Sequence, residues 1–239
     1  MIQTIRSKDR YHAESDWLNT YWHFSFDRYN DPNNMNFGPL RVFNDDVVIP
    51  GRGFGEHGHK EMEIVTYVID GALEHKDSMN NTGVIRHGEI QRMSAGTGLR
   101  HAEYNHSNTD PVHFIQLWII PAESNLPPSW EQKSFSTADR TGKLLPIGVP
   151  VGKNGNNTVQ IHQDATIYTS LLAPGQSTTL KLAAGRRAYI FVIGGNLNLN
   201  GETLNPGDQA RVTSESELKL SGPSATGSAA ADFLLLDLP

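Results

Sequence analysis

Short β-forming runs punctuated by turn clusters set the rhythm of this chain and exclude most folds at once. Runs rich in Val, Ile, Tyr and Phe recur as LRVFNDDVVI, EIVTYVIDGALEH, VHFIQLWII, TVQIHQ, IYTSLL, RAYIFVIGGNLNLN and DFLLLDL. Between them stand DPNNMNFG, SMNNTG, SAGTG and KNGNN, whose Gly, Asn and Pro residues supply turn conformations. This pattern predicts an all-β antiparallel barrel or sandwich. Helical periodicity is scarce: only SDWLNTYW and PSWEQKSF are expected to form one short helix each.

The order of these runs repeats. EMEIVTYVIDGALEH leads into a His-Gly-Glu turn and a further strand; RRAYIFVIGGNLNLNG leads into LNPGDQARV. A repeat at half the length of a 239-residue chain predicts two similar barrels side by side, residues 1–130 and 131–239. The Pro-rich stretch Pro121–Pro128 and the polar segment up to Pro150 read as the connector. Nine of the ten histidines lie at or before His113 and only His162 lies beyond, so chemistry is expected in the first barrel.

Composition narrows the chemistry. With no cysteine there is neither a disulfide framework nor a thiolate site, so a metal would be held by imidazole and carboxylate. The net charge of −6, without a basic cluster, argues against direct nucleic-acid binding. No apolar run reaches membrane-spanning length, and the N-terminus has no signal-peptide core, so the expected compartment is the cytoplasm. The three N-x-[ST] matches at Asn80, Asn105 and Asn156 are accordingly read as chance.

His57 and His59 flank Gly58 in GFGEHGHKEME, and His101 and Glu103 flank Ala102 in GLRHAEYN. On an extended chain residues two apart face the same way, roughly 6–7 Å apart, so two such strands in one barrel offer three nitrogens and a carboxylate to one point. A single H-x-H pair is most simply a surface accident. A second pair, a glycine-rich run before each, and the lack of a matching set downstream make metal ligation the better reading. The donor set suits Fe(II), and also Ni, Cu, Zn or Mn. Spacing leaves a second carboxylate open: Glu63 shares strand parity with His59, though about 13 Å along a straight strand.

GFGEHGHKEMEIVTYVIDG resembles the first motif of the cupin superfamily, and GEIQRMSAGTGLRHAEYN the second. More narrowly, WHFSFDRYNDP, RVFNDDVVIPGRGFGEHGHKEMEIVTYVIDGALEHKDS and QRMSAGTGLRHAEYN are similar to the pirin family, over about His23 to Pro121. The resemblance implies two tandem cupin barrels of double-stranded β-helix (jelly-roll) form, with the N-terminal strands packing on the second barrel. It implies iron held by His57, His59, His101 and Glu103, with Glu63 in an outer-shell or buried hydrogen-bonding role. It also implies an activity, a quercetin 2,3-dioxygenase that cleaves a flavonol with O2, in which Glu103 accepts the substrate's hydroxyl proton. The competing implication is an iron-dependent regulatory module that binds a protein partner without turnover.

The remaining candidates have plainer readings. GRGFG leads into a strand rather than a helix, so it is no phosphate loop; its glycines are expected to permit close backbone approach near the metal. Two readings attach to His75 and Asp77, orienting a ligand or substrate or, more simply, forming a polar hairpin end; His87, His106 and His113 read as structural or exposed. Arg100 and Tyr104 should point away from the cavity. Phe54, Met62 and Phe114 are candidates to line it, and Trp22, Phe24 and Phe26 to pack the core.

Overall fold

The computed structural model describes every residue except Asn154, Asn156 and Thr226. The first two belong to the KNGNN cluster, and Asn156 is also one of the N-x-[ST] matches; both lie outside the described residues.

The alternation in the apolar runs builds four sheets, two per half. In the first half a seven-stranded sheet runs Ser129–Ser134, Glu89–Ser94, Glu63–Asp70, Val112–Ile119, Leu40–Val48, Leu18–Trp22, Tyr11–Glu14. It closes against a four-stranded sheet of Gly53–His59, Leu99–Asn105, Ala72–Asp77 and Thr82–Arg86. The second half repeats the plan. Seven strands (Ile2–Ile5, Gln209–Thr213, Arg187–Gly194, Ala231–Leu238, Thr166–Leu172, Leu145–Pro150, Val159–Ile161) face four, Ser177–Lys181, Glu217–Ser221, Leu197–Leu199 and Glu202–Leu204. The fold is a bicupin. The chain's first strand, Ile2–Ile5, pairs antiparallel with Gln209–Thr213 and so belongs to the second barrel's sheet.

Both predicted helices are strands. Leu18–Trp22 pairs with Leu40–Val48, and Ser129–Ser134 pairs with Glu89–Ser94. In the first, Thr20 and Trp22 alternate into the interior. Sheet pairing and burial of β-branched and aromatic side chains override the weak helical pattern. Among the described residues the only α-helix is Thr137–Arg140, opened by a Ser136–Asp139 capping box. Thus the expected connector is not structureless: two strands, Ser129–Ser134 and Leu145–Pro150, and this helix lie within it. No helix among the described residues is long and apolar enough to cross a membrane.

Each face of the first seven-stranded sheet has its own task. Phe43, Val65, Tyr67, Ile115 and Leu117 face the second barrel and join Ile147, Ile161, Tyr189, Leu234 and Leu236 in one buried cluster. Their neighbours one residue along point the other way. Val48, Val68, Val112 and Phe114 pack the first barrel's interior, while Asn44, Asp46, Gln116 and Trp118 line the cavity beside it.

Candidate metal centre

The strand Gly53–His59 carries His57 and His59, and the strand Leu99–Asn105 carries His101 and Glu103. These strands pair antiparallel with His101 opposite His57. Between His101 and Glu103 the register slips, so that Glu103 faces Phe54. Such a bulge re-aims side chains locally. Gly53 makes the pairing feasible, because a Cβ there would sit 2.1 Å from the Glu103 carbonyl oxygen and 2.5 Å from the Tyr104 Cα.

Imidazole nitrogens of His57, His59 and His101 lie within 4.8 Å of one another, and a Glu103 oxygen lies within the same distance of a His101 nitrogen. The ring centroids are 4.4 Å (His57–His101), 4.8 Å (His57–His59) and 4.9 Å (His59–His101) apart. Hydrogen bonds orient the donors. Nδ1 of His57 donates to the Gly55 carbonyl at 2.8 Å, which turns Nε2 toward the cluster. Gln116 Nε2 donates to Glu103 Oε2 at 2.9 Å and Thr66 Oγ1 to Oε1 at 3.5 Å. Trp118 Nε1 in turn donates to Gln116 Oε1 at 3.2 Å. His101 Nε2 is buried without any hydrogen-bond partner. A buried polar atom without a partner is costly unless something else binds it, and a cation is what the surrounding donors suit.

Protonation agrees. Burial, with His101 and His57 close by, lowers His59 to about 4; burial, with His57 and His75 close by, lowers His101 to about 3. Both rings are therefore neutral at pH 7, as a metal ligand must be. The residues present fit a divalent transition metal.

A cavity of about 540 Å³ opens on His57, His59 and Glu103. Its walls are Trp17, Leu18, Trp22, Phe26, Phe54 and Trp118, with Asp27, Asn44, Asp46 and Gln116 as the polar groups. The aromatics brace one another edge to face: Trp17 on Phe54 at 5.1 Å and Phe26 on Trp118 at 5.4 Å.

Several expectations hold. Arg100 points outward to Glu56 and Tyr104 is exposed; Phe54 lines the cavity; His106 pairs with Glu74 at the surface and His113 with Asp45. Trp22 is buried as expected, with one edge on the cavity. Others are corrected. Met62 and Phe114 pack in apolar clusters instead, and Phe26 is half-buried cavity wall rather than core. Glu63 lies on the face shared with Val65 and Tyr67, away from the metal cluster, where its carboxylate accepts from the backbone and Nδ1 of His162 at 3.2 and 3.3 Å. Of its two expected roles, the buried hydrogen bond is the one found. His75 and Asp77 are no mere hairpin end: both are buried, and His75 Nδ1 lies 3.4 Å from His101 Nδ1. Sequence reasoning also passed over Asn44, Asp46 and Gln116, although a lone Gln in VHFIQLWI and a polar pair in LRVFNDDVV are signals of an interior site.

A double barrel with one histidine–carboxylate cluster under an aromatic cavity defines a metal-site bicupin. Family models agree on both halves: one described as Pirin matches residues 4–119, and one described as quercetinase C-terminal cupin domain matches 150–238. The chain belongs to the pirin family. It is 41% identical to a quercetin 2,3-dioxygenase of Escherichia coli K12 over 239 residues, covering 100% of this chain and 99% of that one. It is 40% identical to a pirin-like protein of Caulobacter vibrioides over 208 residues, 87% of this chain and 89% of that one. The crystal structure of the bacterial pirin YhhW of Escherichia coli in complex with nickel(II) superposes with a TM-score of 0.91 at 39% identity, covering 100% and 99% of the two chains.

Proposed function

We propose that this chain is a metal-dependent dioxygenase that cleaves a flavonol such as quercetin with O2, using His57, His59, His101 and Glu103 as ligands and iron as the metal. The observation that carries the reading is the juxtaposition of the ligand cluster with a cavity whose walls are aromatic and whose polar groups are few. A planar polyphenol needs flat apolar walls for its rings and a polar end for its hydroxyls. Relatives named quercetin 2,3-dioxygenase support the substrate class.

Bound among these ligands, a divalent metal supplies Lewis acidity toward the substrate oxygens and a binding position for dioxygen. The chain's own residues do the rest. Trp17, Phe26, Phe54 and Trp118 sandwich the rings and keep water out. Glu103 accepts the proton of the 3-hydroxyl. Gln116 and Thr66 keep that carboxylate aimed before and after the transfer. The proposed ligand-bearing barrel spans residues 1–130 and its neighbour 131–239; Ser129–Ser134 joins the first barrel's sheet and Ile2–Ile5 the second's, and all four proposed ligands lie in the first.

The test is aerobic turnover after loading with Fe(II), Ni(II) or Cu(II). Oxygen uptake together with carbon monoxide release from quercetin is expected, lost in His101→Ala, and metal content should fall in His57→Ala. No uptake with any metal or flavonol overturns the enzyme reading; equal metal content in His57→Ala and wild type overturns the ligand set.

A further inference from the structure

Behind His101 a second pair of side chains runs away from the cavity. His101 Nδ1 lies 3.4 Å from His75 Nδ1, and His75 Nε2 lies 3.4 Å from Asp77 Oδ2. All three side chains are buried, and His75 is fully closed to solvent. The strands dictate this arrangement: Leu99–Asn105 pairs with Ala72–Asp77, setting His101 opposite Asp77 and Glu103 opposite His75. Trp130 lies nearly parallel over the His75 ring at 6.3 Å.

The hydrogens of this chain are fixed by its far end. Asp77 Oδ1 accepts from the backbone N–H groups of Met79 and Asn81 at 2.9 and 3.0 Å, and Oδ2 accepts from Asn81 Nδ2 at 2.9 Å. A carboxylate surrounded by three N–H donors is an acceptor only, so His75 Nε2 must carry a hydrogen and donate it. The neutral His75 ring then has a bare Nδ1, which accepts from Nδ1–H of His101. That leaves His101 Nε2 with its lone pair free, and Nε2 is the atom that is buried without a partner. With both nitrogens engaged, His75 has none for a metal, so its proximity to His101 and Glu103 is not a second binding site.

We propose that Asp77 and His75 are positioning residues that impose the Nδ1–H tautomer on His101 and thereby present its bare Nε2 to the metal. This rests on His101 being a ligand, as argued above. Partners that fix the tautomer of a ligating histidine contribute 10–100-fold to metal affinity.

The direct test needs no variant. In metal-stripped, ¹⁵N-histidine-labelled protein, long-range ¹H–¹⁵N correlations should show His101 as the Nδ1–H tautomer and His75 as the Nε2–H tautomer. His101 found as Nε2–H overturns the proposal. Asp77→Asn can place an amide N–H against His75 Nε2, which inverts both tautomers and puts a hydrogen on the ligating atom. Nickel affinity, read by competition with a chromophoric chelator, should then fall roughly 10–100-fold, and likewise in His75→Leu. His75→Gln, whose amide oxygen can still accept from His101 Nδ1–H, should retain most of the affinity. Unchanged nickel affinity in both Asp77→Asn and His75→Leu overturns the relay. Undiminished affinity in His57→Ala, with wild-type tautomers as stated, instead overturns the ligand set and leaves the tautomer assignment standing.

Discussion

Asp46 is almost closed to solvent in the cavity wall, and burial, with Asp45 and Glu103 close by, pushes its carboxyl up to about 7. The stability consequence has a definite sign. Unfolded, the group ionises near 3.8, so between pH 4 and 7 the folded state holds a proton that the unfolded state has released. Stability therefore falls as pH rises through this window, by an amount on the order of 4 kcal/mol for this group. Asp46→Asn in metal-free protein should remove that dependence, gaining on wild type as pH rises from 4 to 7 in urea titrations. A pH-independent difference would refute the account. At this scale the sequence was partly legible. The H-x-H and H-x-E spacings survive into the structure because an extended chain leaves residues two apart on one face. Parity failed for Glu63 because Glu61 adopts φ 51° and Lys60 and Met62 lie outside the strands, so the count from His59 does not carry across. For His75 and Asp77 the hairpin-end reading looked simpler than the ligand-orienting one, since only cross-strand pairing, invisible in one run, decides that they back onto His101.

Two glycines of one strand separate what the element needs from what it tolerates. Gly53 admits the Glu103 backbone, whereas a Cβ on Gly58 would meet nothing nearer than 3.8 Å. Gly53→Ala should therefore cost about 1–3 kcal/mol and lower metal content, since the clash is with the backbone of Glu103, a proposed ligand. Gly58→Ala, between the two histidines, should leave melting temperature and metal content close to wild type. Equal behaviour of the two variants would show that the bulged pairing does not set the site. The sequence placed glycine near the metal but could not say which one mattered, because the register slip at Glu103 follows from the pairing of two distant strands. The same limit explains the two mistaken helices. Leu18–Trp22 and Ser129–Ser134 are short, and each is claimed by a neighbouring strand that no local window contains.

The apolar face of the first seven-stranded sheet has no use for water, and the second barrel covers it with an equally apolar face. Polar contacts cross the same boundary. His23 Nδ1 lies 2.5 Å from the Tyr189 hydroxyl, which donates to Gln209, and Glu63 holds His162, the one histidine of the second half. The strand Ile2–Ile5 begins the chain yet pairs in the second barrel's sheet. Separating the barrels would strip a large apolar area from both and leave buried polar groups unpaired, costs that neither half offsets alone. The second barrel thus keeps the far face of the sheet bearing Thr66 and Gln116 out of water. A unit so joined should unfold in one step. All four tryptophans lie in the first half, at 17, 22, 118 and 130, so their fluorescence reports that barrel alone, whereas far-ultraviolet circular dichroism reports both. In urea the two signals should trace coincident transitions, the test of two-state behaviour. A dichroism change that persists after tryptophan fluorescence has levelled would mean that the second barrel stands by itself and that the shared core does not bind the halves into one cooperative structure.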